Sequence, residues 1–343
     1  MKVANGAVVG GLVDLAAANV GGRTLGSTDD FFAEADNLLL EGRGEFIADK
    51  YTERGKWMDG WESRRKRVAG HDSCLIELGI PGEVRAFDID TNHFIGNAPA
   101  FASVEGVKAP RGIAVTELEQ LQFTELLPPL PLLPGSQNLF VATAAHAVSH
   151  LRLRIYPDGG VARFRVYGKV SPEWGEPELD EIARQHVSGS ALDLVALKNG
   201  GACLACSDAT FGGMNNLLLP GRAKNMGSGW ETRRRRYAGF DWIVVQLGAR
   251  GTPGVIEVDT NHFKGNYPDR CSIDFIDQPN ANGYELTQSS AWQPLLPETK
   301  LQAHTRHFFK QELLTRAPAT HLRLNIFPDG GVSRLRVWGE RNG

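Results

Sequence analysis

His150–Gly168 reads HLRLRIYPDGGVARFRVYG, and His321–Gly339 reads HLRLNIFPDGGVSRLRVWG; fourteen of the nineteen positions are identical at a spacing of 171 residues. Within the first copy Leu151, Leu153 and Ile155 alternate with Arg152 and Arg154, the period-two pattern of a half-buried strand. Pro157-Asp158-Gly159-Gly160 supplies the fixed φ and the positive-φ residues of a tight turn. Ala162, Phe164 and Val166 then alternate with Arg163 and Arg165, which predicts a returning hairpin partner. The arginines are expected to be solvated or cross-strand residues.

The repetition extends over the whole chain, the signature of a duplicated architecture. DNLLL at Asp36–Leu40 matches NNLLL at Asn215–Leu219, 179 residues on. GWESRRKRVAGHD from Gly60 matches GWETRRRRYAGFD from Gly229, and DTNHFIGN from Asp90 matches DTNHFKGN from Asp259, both at a spacing of 169. The ten-residue difference places an insertion in the first repeat near Phe46–Lys56, a polar stretch that reads as a loop. Cys74–Leu78 with Val84–Ile89, and Trp242–Leu247 with Val255–Val258, read as short strands separated by Gly and Pro turns. Long amphipathic helices are scarce, which favours an all-β antiparallel sandwich over a parallel α/β sheet. The Pro-rich LLPPLPLLPG from Leu126 and its rough counterpart QPLLPE from Gln293 read as loops. The polar, Pro-bearing segment Ser171–His186 suggests the boundary, giving a first domain over residues 1–172, a linker over 173–188 and a second domain over 189–343.

With 343 residues the chain can bury two ordinary cores. A net charge of −3, mixed along the chain, creates no field for a polyanion, so nucleic acid is not an expected partner. No apolar run approaches the roughly 20 residues of a membrane-spanning helix. Lys2 and the apolar residues up to Val20 imitate a secretory signal faintly. Asp14 interrupts the run, and Asp14–Gly22 has an internal counterpart at Asp193–Gly201, so a cytoplasmic location is the expectation. Four cysteines without framework spacing fit a reducing compartment. Cys203 and Cys206 form a CxxC without a second pair to complete a zinc site, and are read as ordinary thiols.

Two duplicated clusters could carry chemistry. The first is Trp61, Glu62, Ser63, Arg64, Arg65, Lys66 and Arg67, with Trp230, Glu231, Thr232, Arg233, Arg234, Arg235 and Arg236 as its twin. Four adjacent cations fit an anionic ligand, internal carboxylate partners or a solvated face, and these readings stay open. The second is Asp90, Thr91, Asn92, His93, Phe94, Gly96 and Asn97, repeated as Asp259, Thr260, Asn261, His262, Phe263, Gly265 and Asn266, at a strand end. Asp and His three residues apart suit acid–base work or a divalent metal such as Mn²⁺, and equally an Asx turn that caps backbone N–H groups. Asp88 and Glu257 share side-chain parity with Asp90 and Asp259, so each strand shows two carboxylates on one face, a pairing that raises pKa values. Alternatively they neutralise the arginines.

Together the two GW-E-(S/T)-RR-x-R, the two DTNHF-x-GN and the two PDGG motifs resemble the allantoicase family over almost the whole chain, Asp14–Gly339. The resemblance implies two tandem jelly-roll β-sandwich domains like galactose-binding modules. It also implies self-association and hydrolysis of allantoate to ureidoglycolate and urea in purine and allantoin breakdown. On that expectation Arg64, Arg65, Arg233 and Arg234 offer forks for the substrate carboxylate, while Glu62, Asn92, Glu231 and Asn261 read the ureido groups. His93 or His262, steered by Asp90 or Asp259, is expected to move protons to the departing urea and from water. Sites in both domains, in one, or between them stay open, as does metal dependence. A noncatalytic carbohydrate-binding sandwich and a ureidoglycolate hydrolase are the competing readings.

Overall fold

The computed structural model describes residues 12–175 and 179–342. The chain divides after Ser171 into two units, Met1–Ser171 and Pro172–Gly343. Part of the predicted linker, 176–178, and the signal-like residues Lys2–Gly11 lie outside the described residues. Leu179 and Val187 pack with Val255 and Trp338, so this segment is part of the second unit's packing. Both units are all-β sandwiches; the α-helices among the described residues are only Val115–Leu118 and Gly283–Gln288. None is long and apolar enough to cross a membrane.

Each unit is organised by one long strand, Asp72–Asp90 and Asp241–Asp259. Two short strands separated by a turn were expected here. Instead Ile80-Pro81-Gly82 bends a continuous strand from one layer into the other, and the ladder to Ala147–Tyr156 shifts register between Val148 and His150. A bend that keeps pairing on both sides lets Pro and Gly sit inside a strand at an irregular point. Before the bend the strand pairs with Arg23–Ser27 and with His150–Ile155; from the bend on, it pairs with Ala147 and Val148, with Arg163–Val170 and with Leu139–Val141. All these pairings are antiparallel.

The predicted hairpin around PDGG therefore does not form. Ala147–Tyr156 and Arg163–Val170 both pair with the long strand, and PDGG carries the chain between its two halves. The apolar alternation is nonetheless right, because Leu151, Leu153, Ile155, Phe164 and Val166 are fully buried. Phe87 and Phe164 stack in parallel with centroids 5.9 Å apart. Arg152 and Arg154 are cross-strand partners of Glu105, but Arg163, Arg334 and Arg336 are buried rather than solvated. Arg334 donates to the carbonyls of Asn216 and Ser228, loops that the strand pattern could not reveal.

The Pro-rich segments also differ from expectation: Thr124–Pro131 and Gln293–Lys300 are strands. Each ends the path of its sheet and pairs along one side only, so prolines lacking an N–H are accommodated. The insertion forms a small hairpin, Tyr51–Thr52 with Gly55–Lys56.

One close approach sets up the functional face. A Cβ at Gly160 would fall 1.9 Å from the Phe94 ring, and one at Gly331 1.9 Å from Phe263. Only glycine therefore lets PDGG lie over the buried phenylalanine of DTNHF. The same glycines begin the short strands that pair with Trp61–Glu62 and Trp230–Glu231. Three motifs distant in sequence converge there in each unit.

Candidate active site

Alternation along Trp61–Glu62 sends the tryptophan inward and the carboxylate outward. Trp61 and Trp230 are fully buried, and their indole N–H groups donate to the carbonyls of Asp29 and Asp208, both at 2.8 Å. Glu62 accepts from Asn97 Nδ2 at 2.7 Å, and Glu231 from Asn266 Nδ2 at 2.5 Å. The glutamate of one motif thus meets the final asparagine of the other. Burial raises the Glu62 carboxyl above its usual range, partly offset by the Asn97 hydrogen bond.

Half of the basic run is an internal network, and two members in each copy are left over, Arg65 and Arg67 in the first and Arg234 and Arg236 in the second. Arg64 places its Nε 2.7 Å from Asp29 Oδ2 and its backbone N–H on Oδ1 at 3.0 Å. Arg233 treats Asp208 in the same way, at 3.1 and 2.9 Å. Burial alone would raise Asp29 and Asp208, but these hydrogen bonds and charges outweigh it and hold both carboxyls low. Lys66 and Arg235 pair with Asp72 and Asp241, and their backbone N–H groups cap Asp158 and Asp329 of PDGG, both at 2.7 Å. Arg65 and Arg234 are exposed, with no hydrogen bond or ion pair among the described residues. Arg234 lines a cleft of about 350 Å³ together with Glu231, Asn266, Tyr267 and Asp329.

The second cluster is built differently from the catalytic expectation. Asp90 and Asp259 are buried and cap the backbone N–H of Asn92 and Asn261 at 2.9 and 2.7 Å, the Asx arrangement. Arg43 grips Asp90 with Nε and Nη2 at 2.8 and 3.1 Å; Arg222 reaches Asp259 at 3.2 Å. No hydrogen bond joins Asp90 to His93 or Asp259 to His262, so the predicted steering of histidine by aspartate is absent. His93 is exposed and stacks on Phe46. His262 Nε2 lies 2.9 Å from the Ala223 carbonyl, and its backbone N–H donates to His304 Nδ1 at 2.7 Å. Asn92 Nδ2 donates to the Arg43 carbonyl, and Asn261 turns back onto Asp259. Each asparagine thus uses its Nδ2 within its own loop region.

The paired carboxylates are present but unequal. Asp88 is buried beside Asp90 with neutral Gln137 as its hydrogen-bond donor at 2.7 Å, and its Oδ1 has no partner. Burial, with the Asp90 charge, pushes Asp88 up to about 6. In the second unit Arg306 occupies the position of Gln137 and donates to Glu257 at 2.7 Å, while Arg222 bridges Glu257 and Asp259. Asp180 closes the other side of both arginines at 3.1 Å. Among the described residues no group of three or more His, Cys, Asp or Glu side chains could hold a metal. The Asp-x-x-His spacing does not form a ligand pair here, because Asp90 and Asp259 are taken by arginine and backbone. Cys203 and Cys206 form no disulfide.

Sequence reasoning singled out neither Asp29 and Asp208 nor Arg43 and Arg222 as partners. A signal existed: LLLEGR at Leu38–Arg43 and LLLPGR at Leu217–Arg222 repeat at the 179-residue spacing, which also relates Asp29 to Asp208.

The chain matches the model of the Allantoicase repeat twice, over residues 13–171 and 192–342. It is 47% identical over 330 residues to a Burkholderia mallei protein named "Probable allantoicase 1", covering 95% of this chain and 94% of that one. A Pseudomonas aeruginosa protein named "Probable allantoicase" is 46% identical, with 95% of each chain covered. The crystal structure of allantoicase from Saccharomyces cerevisiae superposes with a TM-score of 0.80 at 32% identity, covering 97% of this chain and 95% of that one.

Proposed function

The chain belongs to the allantoicase family and hydrolyses allantoate to ureidoglycolate and urea in purine catabolism, and from that premise we propose that turnover takes place where Glu231, Arg234 and Asn266 meet. The observation that carries this reading is the unpaired Arg234 guanidinium in the same cleft as a carboxylate fixed by an amide.

Allantoate bears one carboxylate and two ureido groups on a single carbon. A guanidinium fork matches a carboxylate bidentately, and a half-buried acceptor next to an amide matches ureido N–H and C=O groups. Arg234 holds the carboxylate, and Asn266 and Glu231 face a ureido arm. Glu231 takes the N–H proton of the retained ureido group as that nitrogen's electrons form a C=N bond and the C–N bond to the departing urea breaks. The same carboxyl hands the proton to the departing nitrogen. Water then adds to the C=N carbon, and Glu231 moves a proton from water to the retained nitrogen. One carboxylate thus serves as base and acid in both halves. Arg64, Arg233, Asn92 and Asn261 act in this scheme by holding the loops, and Glu62, Arg65 and Asn97 form the corresponding group in the first unit.

Urea release by Glu231→Gln tests the scheme: a fall in kcat of about 10²–10⁴ supports it, and wild-type turnover removes Glu231 from the chemistry.

A second reading keeps His93 and His262 as the proton carriers, with Asp90 and Asp259 as their loop supports. It is favoured by the left-handed backbone of both histidines, φ 67° and 72°, because non-glycine residues held there cluster at functional sites. Full activity in the His93→Ala, His262→Ala double variant would remove it.

A further inference from the structure

The two repeats trace the same backbone past the cleft but do not present the same side chains. Gly160 N–H donates to the Asn97 carbonyl at 2.8 Å, and Gly331 N–H to the Asn266 carbonyl at 2.9 Å. Three residues on, Ala100 N–H reaches the Tyr156 carbonyl at 3.0 Å and Asp269 N–H the Phe327 carbonyl at 2.9 Å. Between these fixed points the first unit has Ala98 and the second Tyr267. Tyr267 lines the cleft, is half-buried, and its hydroxyl has no hydrogen-bond partner among the described residues. It shares that condition with Arg234, so two unsatisfied donors line one cavity.

A second difference points the same way. Phe211 lines the cleft and is 64% exposed. Its counterpart Phe32 lies against the insertion: a Cβ at Gly55 would sit 3.8 Å from its ring. There Phe32 borders a different cavity of about 440 Å³, with Arg54, Trp57 and Met58. The aromatic residue at this position thus lies against the insertion in the first unit and lines the cleft in the second.

We propose that the two repeats have divided their roles: turnover is confined to the second unit, and Tyr267 is the substrate-binding residue that distinguishes it, its hydroxyl donating to the allantoate carboxylate beside Arg234. This rests on the placement of the reaction at Glu231 and Arg234. A neutral donor added to a guanidinium fixes the carboxylate's rotation, which a single fork on a flexible stem does not. In the first unit Ala98 supplies no such donor.

Three measurements test this together. Tyr267→Phe removes only the hydroxyl and is expected to raise KM for allantoate about tenfold or more, the loss of one hydrogen bond to a charged group, while kcat changes less. Tyr267→Ala reproduces the first unit's residue on a backbone that already tolerates it, so its melting temperature should stay near wild type while KM rises at least as far. Calorimetric titration of the wild-type chain with ureidoacetate, which keeps one carboxylate and one ureido arm, should give one molecule per chain, weakened by Tyr267→Ala. A wild-type KM in Tyr267→Phe, or two ureidoacetate molecules of equal affinity per chain, overturns the proposal. If Glu231→Gln is inactive and Tyr267→Phe unaltered, this inference alone fails; if Glu231→Gln is fully active, the underlying site assignment fails with it.

Discussion

Replacing Asp88 with asparagine should stabilise the protein above pH 6 and do nothing near pH 4. Asp88 is 2% exposed, its Oδ1 has no partner, and Asp90 repels it. Burial and that repulsion lift its pKa from 3.8 to about 6 in the folded chain. A folded-state pKa above the unfolded value means the native state binds the proton more tightly, so stability falls as pH rises from about 4 to about 6 and stays lower beyond. At about 1.4 kcal/mol per pH unit the penalty at pH 8 is about 3 kcal/mol. Asparagine is isosteric, cannot ionise, and can still accept from Gln137. Urea unfolding of wild type and Asp88→Asn at pH 4.5, 6 and 8 should therefore show a variant advantage that grows to as much as about 3 kcal/mol. A variant that is less stable by the same amount at all three values would show instead that the charged form is compensated.

The second unit should respond in the opposite sense. Buried Glu257 sits between Arg222 and Arg306, so Glu257→Gln removes the carboxylate they share, leaves them only Asp180 and Asp259, and should cost up to about 3–5 kcal/mol in denaturant unfolding at pH 7; a neutral result would contradict the ion-pair account. Arg222→Met strands Asp259 and should cost a similar amount by the same mechanism, read by the same unfolding curve. Gly331→Ala places a methyl 1.9 Å from the Phe263 ring and should lose about 1–3 kcal/mol or more, with circular-dichroism melting as the measure; an unchanged melting temperature would mean that the ring moves freely.

Much of this was legible in the sequence because it depends on local periodicity and on repetition. The buried alternation of Leu151, Leu153 and Ile155 and the duplicated motifs could be read directly. Pairing partners could not: the strands flanking PDGG look like a hairpin, yet the bend at Ile80-Pro81-Gly82 sends them to different halves of one strand. Likewise the Pro-rich edge strands obey tertiary position rather than propensity. At the site, residue types were informative but side-chain destinations were not. Arg64 and Arg65 are neighbours of the same type, and only Asp29, thirty-five residues upstream of Arg64, decides that one is tied and the other free. Asp90 looks like a partner for His93 in sequence, but Arg43 and the Asn92 N–H occupy it.

A crystal structure of the chain soaked in ureidoacetate shows directly whether such a ligand binds between Glu231 and Arg234. Density is expected in that cleft, with the carboxylate on Arg234 and the ureido group within hydrogen-bond distance of Glu231 and Asn266. Ligand seated instead against His262 and Asn261, with the cleft empty, would contradict it.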